Sequence, residues 1–321
     1  MNIPLLIVIL YVLLLFCISI YVSYGQKKDS ENFLLYKGKN NAFVVAASIA
    51  GLAIGGASTI GIAENAFTVG LSAGWYDTAW AIGAVVSSML AVRYLRRSQY
   101  TTISGLVRDL YGTKTSLIMV IAMCIIQSGI IALQYKAGGS ILASLLPDAE
   151  ASVALPMILM SIPPVLGGIT LSGLWAADMG TGCSMIIGLA TTVSTDIIGK
   201  IPGVSLNDRQ KHILNKVIVV LSSLVTYLIA TQMGAILSAM QKALSLAIGT
   251  SFIVIGGLLC PKFSSRKAGF WTIMASIVSI VAWNMVPALV PVFKNVGFFM
   301  LAVCGAVFIL ISLVDPEKVK Q

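Results

Sequence analysis

AASIAGLAIGGASTIG, residues 46–61, lies at the centre of an apolar run long enough to cross a bilayer, yet its composition is that of a weak helix. Gly51, Gly55, Gly56 and Gly61 share it with Ser48, Ser58 and Thr59. Each glycine costs a helix about 1 kcal/mol relative to alanine. A break here would free backbone carbonyls, and at bilayer depth such groups persist only where they line a cavity or hold something. The same small residues also suit close helix packing, and composition leaves both readings open.

Outward from this run the chain stays apolar. Of 321 residues, 58% are hydrophobic and 10% are charged, against roughly 25% charged in an ordinary soluble domain. That excludes a soluble globular protein. A crossing helix needs about 20 mostly apolar residues. Nine segments qualify, at 3–25, 42–67, 74–96, 115–145, 163–198, 213–238, 240–260, 267–288 and 292–314. They are helix-like rather than alternating, which disfavours a β-barrel. The expected fold is an all-α polytopic membrane protein with about nine transmembrane helices. The segments follow one another closely, which predicts a single membrane domain over 1–321. Its parts are N-terminal helices at 1–146, an external junction at 147–162 and C-terminal helices at 163–321. The first segment has no basic lead and no convincing cleavage site, so it reads as a retained helix.

The net charge of +9 is explained by where the charges fall. With the N-terminus outside and the C-terminus cytoplasmic, 18 of the 21 Lys and Arg lie in cytoplasmic loops, and Lys136, Lys242 and Lys294 lie outside. Such an excess is what sets orientation in a membrane. The basic loops are topogenic, and no nucleic-acid partner is implied. Cys17, Cys124, Cys183, Cys260 and Cys304 have no metal or redox spacing. His212, the single histidine, falls in a cytoplasmic loop. Zinc sites and histidine-based triads are almost excluded on that ground.

A second departure from plain apolar helix is PPVLGGITLSGLWAADMGTGCS, residues 163–184. Asp178 stands several turns inside it. Burying a lone acid at bilayer depth costs at least ~2.5 kcal/mol. It therefore stays protonated, finds a partner, or faces water or an ion. Gly180, Thr181, Gly182 and Ser184 beside it favour a functional role over a packing one. Glu64, Asn65, Trp75, Tyr76 and Asp77 sit near helix ends, where aromatic rings mark the interface and acids reach water. Lys136 is treated likewise, and Asp196, near Lys200, reads as structural.

These segments resemble the sodium:solute symporter family of sodium-coupled sugar, proline and pantothenate carriers. SENFLLYKGK at 30–39 is similar to the family's lead-in to its second helix. Residues 47–61 with Val69-Gly70-Leu71 resemble that helix and its exit. Residues 163–200 carry the strongest likeness, and LLCPKFSSRKAG at 258–269 is similar to a later cytoplasmic motif. The resemblance implies a leucine-transporter-like inverted-repeat core and sodium (Na⁺) as coupling ion. By local alignment it puts sodium ligands at Gly51, Ile54, Ala177, Gly180 and Thr181. A hydroxyl residue is usual at position 180, where this chain has glycine, and Asp178 or a water could take its part. Asp178 is thus a possible sodium- or proton-linked residue. Ser58 and Asp77 fall where family members contact substrate.

The chain is about four crossings shorter than the family pattern, with residues 147–154 as the junction, so the core is expected to be incomplete. The function implied is symport of a small solute with sodium across the plasma membrane by alternating access. Partners are the solute and the lipid bilayer, with oligomeric state unassigned. One alternative is a shortened member that does not transport or needs a partner chain. A membrane-embedded enzyme is a third reading, and the chain offers no catalytic set at bilayer depth beyond single acids. A passive channel is a fourth, without a visible pore loop or charged ring.

Overall fold

The structure is a computed structural model. It describes residues 2–25, 41–92, 94–95, 100, 102–146, 154–201, 207–234 and 236–319. The lead-in motif at 30–39, the basic residues Lys27, Lys28, Arg93, Arg96 and Arg97, and residues 147–153 of the junction lie outside the described residues.

The described chain is helical almost throughout. In order it forms α1 (Ile3–Gly25), α2 (Ala42–Ala53), α3 (Gly56–Val69), a 3₁₀ turn (Gly70–Gly74), α4 (Trp75–Leu90), α5 (Ile103–Tyr111) and α6 (Thr113–Leu145). There follow α7 (Ala154–Met160), α8 (Pro164–Thr191), a π-helical turn (Thr192–Ile197), a 3₁₀ turn (Ile198–Lys200), α9 (Asp208–Thr231), α10 (Ile236–Leu259), α11 (Arg266–Met285), α12 (Leu289–Phe293) and α13 (Val296–Val314). Several starts are fixed by side-chain caps, which satisfy amides that have no partner inside the helix. Thr102 accepts from the Gly105 amide at 3.2 Å, Ser265 from Ala268 at 3.1 Å and Asn295 from Gly297 at 2.7 Å.

Among the described residues, seven helices are long and apolar enough to cross a membrane by themselves. Ala42–Ala53 and Gly56–Leu90 pass that test only together, as a pair bent by 49°. The expected segments at 42–67 and 74–96 therefore emerge as shorter pieces, and α4 has 16 residues. The cause is local: Ile54 and Gly55 leave helical geometry, and Gly70 adopts φ +65°. The expected cytoplasmic loop after α4 contains the amphipathic α5, with Leu106, Val107, Leu110 and Tyr111 buried and Arg108 and Asp109 exposed. That i, i+3, i+4 spacing is one face of a helix.

The chain divides into two compact units. The first draws on Met1–Thr78, Ile130–Ala190 and Ser205–Leu237. It holds α1 to α3, the second half of α6, α7, nearly all of α8, and α9. The second draws on Ala79–Gly129, Thr191–Val204 and Ser238–Gln321. Its core packs α5 against α6, α10, α11 and α13 through Val107, Tyr111, Met119, Ile253, Ile273 and Phe308. The Tyr111 hydroxyl donates to the Ile253 carbonyl at 2.7 Å. Burial pushes that phenol up to about 12.

Two polar networks tie the second unit. Asp196 is buried, pairs with Lys200 at 2.8 Å, and accepts from Thr102 and Ser104. It is a structural acid, as its position near a helix end suggests. At the other network, the tail after α13 straps the α10–α11 connection. The Val319 amide donates to Ser264 at 2.9 Å, the Arg266 amide to Glu317 at 3.0 Å, and the Ser265 hydroxyl to Asp315 at 2.6 Å.

Candidate functional site

The site is built on the break between α2 and α3, inside the first unit. Ile54 closes the last turn of α2 by donating its amide to Ala50 at 2.8 Å. Gly55 then runs extended, with ψ of 165°. In an unbroken helix the Gly55 amide would donate to the Gly51 carbonyl. Here it donates to the Ser58 hydroxyl at 3.1 Å, and Ser58 returns a bond to the Gly55 carbonyl at 2.8 Å. Ser58 is thus engaged in capping α3, and the Gly51 carbonyl is released from the helix.

The released carbonyl meets α8. The Thr181 hydroxyl lies 3.1 Å from the carbonyl oxygen of Gly51, 3.2 Å from that of Leu52 and 3.4 Å from that of Ala177 in its own helix. One hydroxyl carries one proton, so it cannot donate fully to all three. The approach is close enough to require glycine in the break: a Cβ on Gly55 would lie 2.6 Å from Thr181 Oγ1 and 3.0 Å from Gln134 Nε2.

Of the expected ligands, the structure brings Gly51, Ala177 and Thr181 together. The second α2 carbonyl within reach of Thr181 belongs to Leu52 rather than Ile54. Gly180 is adjacent: a Cβ there would face the Gly51 carbonyl oxygen at 3.3 Å. Gly180 and Gly51 border an open cavity of about 440 Å³, with Ser48 and Ser184 on its wall.

Asp178 faces elsewhere. It is 7% exposed, and its Oδ1 is buried without a hydrogen-bond partner. The carboxylate packs on two glycines, with Oδ1 2.6 Å from where a Cβ on Gly56 would be and Oδ2 3.0 Å from one on Gly138. No side-chain atom of Asp178 comes within 4 Å of a Cβ position on residue 180. It lines a second cavity of about 320 Å³, between α6 and α8, with Gln134, Tyr135 and Trp175. Asp178 therefore does not stand in for the missing hydroxyl at 180.

Gln134 was not singled out in the sequence. It is 6% exposed, and its Oε1 accepts from the Ala57 amide at 3.2 Å, capping α3 from another helix. Its signal was a glutamine deep in α6, about two turns beyond Gln127 and two residues before Lys136. Asp77 stands in the exposed first turn of α4, and neither cavity includes it or Ser58.

Comparisons with known proteins bear on the family and the fold. The family described as sodium:solute symporter matches residues 33–309. A solved structure of a Na⁺-coupled sialic acid symporter, substrate-bound and outward-open, is similar with a TM-score of 0.74 and 10% identity. The likeness covers 100% of this chain and 99% of that one. At that identity it shows the fold, which is of the leucine-transporter type. A search of curated proteins finds no match.

Proposed function

The chain belongs to the sodium:solute symporter family, and on that premise we propose that it moves a small solute across the plasma membrane together with sodium. The family and the similar structure are transporters, so this multi-pass membrane protein is not an enzyme. The observation that carries the proposal is the Thr181 hydroxyl among three backbone carbonyl oxygens. That set is all oxygen, uncharged and rich in lone pairs. Carbonyls released from broken helices and neighbouring hydroxyls are suited to coordinate Na⁺.

In this reading Gly51 and Ala177 supply carbonyls and Thr181 its hydroxyl. Leu52 adds a further carbonyl in place of the expected Ile54, and Gly180 leaves room for a water in place of a side chain. Sodium draws the end of α2 onto α8 and steadies an outward-facing state. Solute then docks beside the break, where Asp178 and Gln134 face the second cavity. Ser58 shapes that dock by holding the start of α3, and Asp77 meets solute on its way in. The inward sodium gradient drives both by alternating access. Orientation follows the described charges. Arg108, Lys114, Lys200, Arg209, Lys262 and Lys267 lie on the side we assign to the cytoplasm, together with the C-terminus, and the N-terminus is outside.

The test is thermal stability of the purified chain in NaCl against KCl at equal ionic strength, with Thr181→Ala alongside. A ligand at 100 times its Kd stabilises by about 2.7 kcal/mol. A sodium-specific rise lost in the variant supports the site, and equal stability in both salts sinks it.

One observation favours a second reading: neither α2 nor α4 carries a buried residue. Those faces suit further helices, as a member completed by a partner chain would need. Sodium-driven uptake into liposomes holding this chain alone decides against that reading; sodium binding without uptake decides for it.

A further inference from the structure

The cavity between α6 and α8 has a wall chemistry that selects a ligand class. Of the residues lining it, Asp178 is the one carboxylate, and no lysine, arginine or histidine is among them. Trp175 and Tyr135 supply aromatic surface, and Ile131, Met179 and Ile186 supply apolar surface. Gln134 turns its oxygen to the Ala57 amide, so that oxygen is already engaged. Oδ1 of Asp178 receives no hydrogen bond. A carboxylate at bilayer depth needs a counter-charge or a donor; Oδ1, packed against Gly56, has neither, and Oδ2 lies on the Gly138 side that the cavity borders.

A ligand bearing a positive N–H head supplies both. Aromatic rings beside the acid add attraction for a cation. A volume of about 320 Å³ is within the range of small-molecule sites and well beyond what a bare metal ion needs. An anionic solute would find no basic partner on this wall. A neutral solute would leave the acid without a counter-charge. We propose that this cavity takes a small organic ammonium ion, its head against Asp178 and its apolar body against Trp175 and Tyr135. This rests on the reading of the broken-helix region as a transport site. It separates the chain from the similar structure, whose named substrate is an acid.

Cys183 lines the same cavity and is exposed, which gives a direct readout. In a variant with Cys183 as sole cysteine, in NaCl, the rate of maleimide labelling is measured against three probes of one shape: cyclohexylammonium, cyclohexanol and cyclohexanecarboxylate. Cyclohexylammonium should protect at a concentration at least tenfold below that needed for cyclohexanol, and the carboxylate should not protect. Asp178→Asn should abolish the preference, with each protected rate compared to that variant's own ligand-free rate. Equal protection by the alcohol, stronger protection by the carboxylate, or a preference that survives in Asp178→Asn overturns the proposal. If the variant does not fold, the charge series in the parent still decides. Thermal stability in NaCl and KCl on the same preparation separates the two readings. Sodium stabilisation without charge preference overturns the ammonium site alone. Charge preference without sodium stabilisation upholds it and overturns the sodium site.

Discussion

A Cβ on Gly180 would stand 3.3 Å from the carbonyl oxygen of Gly51, the group that Thr181 approaches from the same helix. Position 180 thus aims at the proposed sodium cluster but brings no oxygen to it. Gly180→Ser should add one, and the half-saturating sodium concentration for thermal stabilisation should fall about tenfold, the equivalent of ~1.4 kcal/mol. Thr181→Ala should raise it at least as much, and Thr181→Ser should stay near the parent. A Gly180→Ser chain with unchanged sodium dependence would remove Gly180 from the site.

Two glycines of the broken run should respond oppositely to alanine. A Cβ on Gly56 would come within 2.6 to 2.9 Å of Asp178 Oδ1, Cβ and Cγ, whereas a Cβ on Gly51 meets nothing within 4 Å. Gly56→Ala should destabilise by roughly 1–3 kcal/mol through overpacking. Gly51→Ala should stabilise by up to about 1 kcal/mol through helix propensity. Unfolding in mixed micelles compares them, and equal effects would contradict the packing described.

Gln134→Leu leaves the Ala57 amide buried without its acceptor, a loss of roughly 1–3 kcal/mol. Gln134→Glu keeps an acceptor oxygen and should recover most of it. If both variants lose the same stability, capping of α3 across the unit is not what Gln134 does.

The Asp315 carboxyl is held below the usual carboxylate range, first by the Ser265 hydroxyl and then by Lys267 at 3.2 Å. A lowered folded-state value means that its contribution is present above about pH 4, the unfolded value, and is lost as pH falls further through the folded one. Amide exchange at Val319 and Arg266, corrected for intrinsic rates, should accelerate as pH drops below about 4. Asp315→Asn should remove that pH dependence. Protection that stays flat in the parent would show that the tail is held by its backbone bonds alone.

The weak centre at residues 46–61 is a composition signal, glycine where helix is expected, and Thr181 is its partner by the family resemblance, which aligns that hydroxyl with a sodium ligand. The sequence did not carry which face of α8 meets the break. Asp178 and Gly180, two residues apart on α8, lie on opposite faces by helical period, and tertiary packing sets which face meets Gly138 and which meets Gly51. The choice of Leu52 over Ile54 depends on backbone angles at the break, with Ile54 at φ −95° and ψ 82°. Ser58 could not be read as a cap until the position of that break was known. Gln134 and α5 were hidden for a simpler reason: Gln134 is one of several polar residues along α6, with Gln127 and Lys136, and nine helical residues among loop charges fall below any window tuned to spans of about 20.

α2 has no buried residue along its 12 positions, and its last turn is where Thr181 meets Gly51 and Leu52. Hydrogen bonds of this kind are worth about 1 kcal/mol each in net terms, close to thermal energy. The segment is therefore a lever pinned at one tip. Its swing is governed by a fastening that ordinary fluctuation can undo, and any ion lodged at the pin would set how often the lever is free.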